Sequence, residues 1–136
     1  MACPYFFPTE KSTNILWSFP QRLPLGAGFC GNCTAGPVHS TPEDAELKDL
    51  CNLGYARQCR RIPAGRQLDS VRFAIAKDGG DRVLLHYSCE REHAPMEHGQ
   101  LQYDCVSRTW HVPHRDPNIQ RQAECFVSTY LERRAR

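Results

Sequence analysis

Hydrophobic positions are most regular in the second half of this chain. Val71, Phe73 and Ile75 alternate with Arg72, Ala74 and Ala76; Asp78-Gly79-Gly80 follows; and Val83, Leu85, Tyr87 and Cys89 resume the alternation. A period of two on both sides of a Gly-containing turn predicts a β-hairpin with one buried face. A third strand is expected at about Leu101 to Cys105 and a short fourth at Thr109 to Val112, which makes the sheet an antiparallel meander. The period then changes to that of a helix. Ile119, Ala123, Phe126, Val127, Tyr130 and Leu131 form one apolar stripe behind Asp116 as N-cap and Pro117 as first helical residue. This helix is expected to cover one face of the sheet, with Arg133, Arg134 and Arg136 suiting the negative end of its dipole.

Residues 1–66 follow neither period for long. Pro4, Pro8, Pro20, Pro24, Pro37, Pro42 and Pro63 punctuate them and leave room for one helix only. Thr41 is its expected N-cap and Pro42 its first residue, and Glu43 and Asp44 suit the positive end of the dipole. Leu47, Leu50 and Cys51 share one face, and Gly54 is the expected stop. The pattern predicts an α+β fold: a turn-rich, cysteine-bearing N-terminal part with one helix, then a three- to four-stranded antiparallel meander covered by a C-terminal helix. The chain is read as one domain over 1–136, with a loop-rich part at 1–66 and the meander and helix at 67–136.

Composition sharpens this only a little. With 136 residues, 40% hydrophobic and 24% charged, the chain is able to bury a core and is not disordered by composition. A net charge of +2 gives no mandate for nucleic acid, which would have to use a local basic patch. No apolar run is long enough to span a bilayer, so no membrane partner is expected. No signal peptide is visible at Met1-Ala2-Cys3-Pro4, so a cytoplasmic, reducing location is expected.

That location changes the reading of the eight cysteines. In a reducing compartment clustered cysteines point to metal binding or chemistry rather than to disulfides. Cys3, Cys30, Cys33, Cys51 and Cys59 lie in turn-forming stretches of the first part and are the candidate metal ligands. An unbroken helix would place Cys51 and Cys59 about 12 Å apart along its axis, so Gly54 has to break it and let the chain return. A zinc ribbon wants two Cys-x-x-Cys knuckles; Cys30-Gly31-Asn32-Cys33 supplies one, and the Cys51/Cys59 spacing does not supply the other. A 4Fe-4S iron–sulfur cluster accepts ligands from separate loops and is the expected cofactor, with zinc as the alternative. Either Cys3 or Cys30 is then spare. Arg57 and Arg60, beside Cys59, are candidate cofactor-binding residues, with Arg61 and Arg66 nearby; an ordinary charged surface explains them equally well.

Cys3-Pro4-Tyr5-Phe6 and Cys51-Asn52-Leu53-Gly54-Tyr55-Ala56-Arg57-Gln58-Cys59 resemble the motifs of short bacterial cysteine-cluster proteins that open with Cys-Pro-Tyr/Phe-Phe and later carry Cys-Asn-x-Gly-Tyr-Ala-x-x-Cys. The resemblance implies that Cys3 belongs with Cys33, Cys51 and Cys59, and implies no particular activity.

Other motifs carry less. Gly26-Ala27-Gly28-Phe29-Cys30-Gly31 matches a dinucleotide fingerprint in letters but has no preceding strand, and Gly36-Pro37 blocks a following helix. His93, His98, His111 and His114 lie near Cys89 and Glu90, and solvated loop positions account for them. Three readings follow: a cluster protein for electron transfer or redox sensing with an unidentified redox or protein partner; a zinc-stabilised module that binds protein or nucleic acid without catalysis; and a thiol enzyme using Cys89 with a nearby histidine. The first is the expectation, and an enzyme is not.

Overall fold

The computed structural model describes residues 1–13, 15–17, 22–55, 59–63 and 65–135. The predicted hairpin forms as β3 (Ser70–Asp78) and β4 (Arg82–Arg91), with Asp78 Oδ1 accepting from Gly80 N–H at 2.9 Å in the turn. β5 (Ala94–Asp104) and β6 (Thr109–Trp110) complete a four-stranded antiparallel sheet in the order β3-β4-β5-β6, so the α+β meander expectation holds at that level.

Two details differ from the periodicity. β6 is only two residues long, and β5 begins seven residues earlier than expected. The segment read as a histidine-bearing loop is strand, because Glu92 and His93 both take positive φ, 51° and 64°, and close a tight hairpin between β4 and β5. Two central residues of positive φ match the right-handed twist of the flanking strands. Pro95 hid this extension, and it is accommodated beside a register shift at Cys89/Glu90.

The first part holds more regular structure than one helix. β1 (Phe6–Lys11) pairs antiparallel with β2 (Phe29–Cys33), and the register slips between Pro8 and Glu10, where proline cannot donate. The helix is also displaced. Its α-helical turn, α1 (Asp44–Glu46), has Glu43 rather than Thr41 as N-cap, in a capping box with Glu46, and continues as a π-helical turn over Leu47–Cys51. Asn52 holds that wide turn: its side chain donates to Leu47 O at 2.9 Å and Phe29 O at 3.0 Å and accepts from Phe29 N–H at 3.1 Å. Gly54 ends it at φ 74°, where a Cβ would meet Ala2 O and Met1 O at 3.1 Å.

α2 (Pro117–Arg134) starts as predicted, with Asp116 accepting from Asn118 N–H at 2.9 Å. It bridges the two sheets rather than covering one. Phe126 stands 5.8 Å from Phe73 of β3, while Gln122 donates to Cys3 O and Phe6 O and Arg121 donates to Pro8 O and Thr9 O. Ala2 and Val71 exchange two backbone hydrogen bonds of 2.8 Å, which tie the N-terminal strand region to the edge of β3. A single buried cluster includes Phe6, Leu47, Val71, Leu85, Ile119 and Val127. No described helix is long and apolar enough to cross a membrane.

Candidate functional sites: a thiol nest and an aromatic groove

Cys3, Cys33, Cys51 and Cys59 line one small cavity together with Tyr5, Phe6, Pro42, Leu50, Arg61 and Ile62. Local structure explains how three of them arrive. Cys33 is on the buried face of β2, Cys3 precedes β1, and the π-turn presents Cys51 inward. Cys59 reaches the cavity after the break at Gly54, and Arg57 lies outside the described residues.

Cys30 does not join them. Alternation along β2 puts it on the opposite face from Cys33, where its Sγ lies 3.4 Å from Glu10 O. Cys30 and Cys33 therefore form no metal knuckle, because a knuckle is a turn and this pair sits in extended strand.

The cavity also corrects the cofactor expectation. Among the described residues, no group of three or more Cys, His, Asp or Glu is arranged to hold a metal ion. Sharing a wall is a weaker condition than converging on a common point. The free space between these side chains is about 10 Å³, about what a single water needs. Burial pushes the Cys3 and Cys51 thiols up to about 12; backbone hydrogen bonds from Tyr5 and Phe6 pull Cys3 partly back, and the neighbouring cysteines push both thiols up. A protonated thiol in an apolar shell packs as a small hydrophobe. The iron–sulfur cluster, the zinc alternative and the metal-ligand roles of Cys3, Cys30, Cys33, Cys51 and Cys59 are accordingly set aside. With them goes the cofactor that Arg57 and Arg60 were expected to bind. Arg60 is exposed, and Arg61 makes an ion pair with Glu46. All eight cysteines are free thiols.

The thiol-enzyme reading fails on Cys89 itself. That residue is fully buried in β4, and burial, followed by the charge of Glu97, pushes its thiol up to about 12. A nucleophilic cysteine needs access and a depressed value. Of the four candidate histidines, His111 is exposed and the other three make contacts elsewhere. His98 faces His86 across the outer side of the sheet, with ring centroids 6.1 Å apart, and His93 stacks on Tyr55 at 4.4 Å. His114 is not a solvated loop residue: its side chain is 4% exposed, and its Nε2 lies 2.7 Å from Glu97 Oε2. Its Nδ1 accepts from Asp116 N–H at 2.9 Å, so the ring proton sits on Nε2 and is donated to Glu97. That bond, ahead of Arg115 at 2.5 Å, holds the Glu97 carboxyl below the usual range.

Sequence reasoning passed over a second feature. An open groove of about 700 Å³ runs between the β5–β6 end of the sheet and α2. Tyr103 and Trp110 form its aromatic wall, paired across β5 and β6 with ring centroids 5.1 Å apart and planes tilted by 52°. Leu131 and the almost fully buried Val127 of α2 supply the aliphatic part of the lining. Its charged groups are Arg108, Arg121, Glu124 and Glu132. The signal was present in the sequence as an aromatic at each of two positions predicted to be strand, but which residues pair depends on a register that alternation does not fix.

No family model, curated protein or solved structure matches the chain.

Proposed function

We propose that this protein is a non-catalytic binding protein that takes a small ligand with an apolar ring in the groove between the β5–β6 hairpin and α2. The observation that carries this reading is the joining of an aromatic wall, Tyr103 and Trp110, with the aliphatic Leu131 and Val127 in the lining of one open groove. Small-molecule sites are about 300–1,000 Å³ in size, and the groove, half apolar and half polar in its lining, lies within that range. The sealed Cys89 and the Glu97-bound His114 support a binding role over catalysis, since neither offers an accessible nucleophile or base.

The test is a fluorescence titration with the neutral apolar probe N-phenyl-1-naphthylamine. Saturable binding of one probe per chain is expected. Trp110→Ala should weaken it about tenfold, as loss of an aromatic contact does. Trp110 is half-buried, so Ser128→Trp serves as a second variant, because Ser128 is exposed on the groove wall and a larger side chain there fills the space. Probe binding that is absent from the wild type, or indifferent to the filled groove, would overturn the reading.

A further inference from the structure

The charges around the groove are unequally committed. Arg121 is held by Glu124 at 3.3 Å and donates to Pro8 O at 2.8 Å and Thr9 O at 2.7 Å, so its guanidinium is fastened to the fold. Glu132 is paired with Lys11. Arg108 has no hydrogen-bond or ion-pair partner among the described residues, and it is exposed in the β5–β6 turn at φ 58°. Asp104 stabilises that turn by accepting from Val106 N–H at 2.9 Å and Ser107 N–H at 3.1 Å. Arg108 therefore leaves an unpaired guanidinium in the lining of the groove that Tyr103 and Trp110 wall.

We infer that the ligand is a small aromatic carboxylate, its ring against Tyr103 and Trp110 and its carboxylate on Arg108; this rests on the groove being the binding site. A guanidinium matches a carboxylate in a planar, two-bond fork. A doubly charged phosphate fits less well, because Arg108 is, among the described residues, the one unpaired cation of the lining and leaves the second negative charge without a partner. A cationic ligand would meet Arg108 with both groove carboxylates already satisfied by Arg121 and Lys11.

Calorimetric titration of the full chain with 3-phenylpropionate, its neutral amide and 2-phenylethylamine tests this. The carboxylate is expected to bind roughly tenfold more tightly than the amide, with the amine weakest. Arg108→Gln should bring carboxylate and amide within about twofold, chiefly by weakening the carboxylate, and Arg108→Lys should restore part of the preference. Equal affinity of acid and amide for the wild type, or a preference that survives Arg108→Gln, sinks the role of Arg108 while amide binding keeps the groove reading. If none of the three compounds binds but the naphthylamine probe does, the inference falls alone. If the probe fails as well, both fall.

Discussion

Along its ten residues β4 exchanges ladder hydrogen bonds with β3 on one side and β5 on the other, whereas the described residues of the first 66 contain one short two-stranded ladder and hang on a few buried side-chain amides. Asn52 joins the π-turn to β2, and Gln122 reaches from α2 to the carbonyls of Cys3 and Phe6, both at 2.8 Å. In a ladder each bond has neighbours that keep the register when one side chain changes. A lone amide serving three backbone groups has no such reserve, and its loss leaves them unpaired in a dry interior. The loop-built half should therefore concentrate its stability in a handful of residues, and the strand-built half should spread it.

The largest effect is expected from Asn52→Leu. The side chain keeps its size, but one donor and two acceptors of the buried backbone lose their partner, for a loss of about 3 kcal/mol in urea unfolding. Gln100→Ala, on the exposed outer face of β5, should stay within about 0.5 kcal/mol of the wild type. Similar losses in the two variants would erase the contrast.

The thiol nest comes next. Removing the buried sulfur in Cys51→Ala should reduce stability by about 1–2 kcal/mol through lost contacts and a small void. The pH dependence separates packing from chemistry. In the unfolded chain Cys3 and Cys51 titrate near 9.0, and in the folded chain near 12, so above pH 9 the unfolded state sheds protons that the folded state keeps. Their contribution is complete below pH 9 and declines as pH rises toward 12, at about 1.4 kcal/mol per pH unit for each thiol. Unfolding curves between pH 8 and 10.5 should be distinctly flatter for a Cys3→Ala/Cys51→Ala protein than for the wild type. Parallel curves would mean that these thiols are not held protonated.

The same contrast explains what the sequence disclosed. Val71, Phe73 and Ile75, and then Val83, Leu85, Tyr87 and Cys89, announced their strands because ladder pairing leaves a period of two in the residues themselves. Asp116 and Pro117 announced α2 for a similarly local reason. β1 and β2 escaped notice because Pro8 and Gly31 interrupt the period and the pairing joins residues 18 to 27 positions apart. The cysteines were legible as a group but not in their chemistry: Cys3, Cys33, Cys51 and Cys59 do share a cavity, yet spacing along a chain does not report whether sulfur atoms converge or merely pack. The alternation along β2 that sends Cys30 to the other face was hidden with the strand itself. Arg108 stood out even less, because an unpaired arginine is visible only once every other charge around it has found a partner.

The smallest expected effect tests the contrast from the strand-built side. Glu97 on β5 makes two side-chain polar contacts, to His114 at 2.7 Å and Arg115 at 2.5 Å, but Arg115 is largely exposed and Glu97 and His98 are already paired with Cys89 and Ser88 of β4. Glu97→Gln keeps an acceptor for His114 and removes only the charge, so the loss at pH 7 should be about 1 kcal/mol or less. Because the native environment lowers the carboxyl below its ordinary 4.5, this contribution is present above that value and disappears as pH falls through the lower folded one. The wild type and Glu97→Gln should therefore converge in stability in acid and separate above it. If the variant instead lost as much at pH 7 as Asn52→Leu does, the ladder would not be acting as the reserve that distinguishes the two halves, and the stability of the meander would rest on single side chains too.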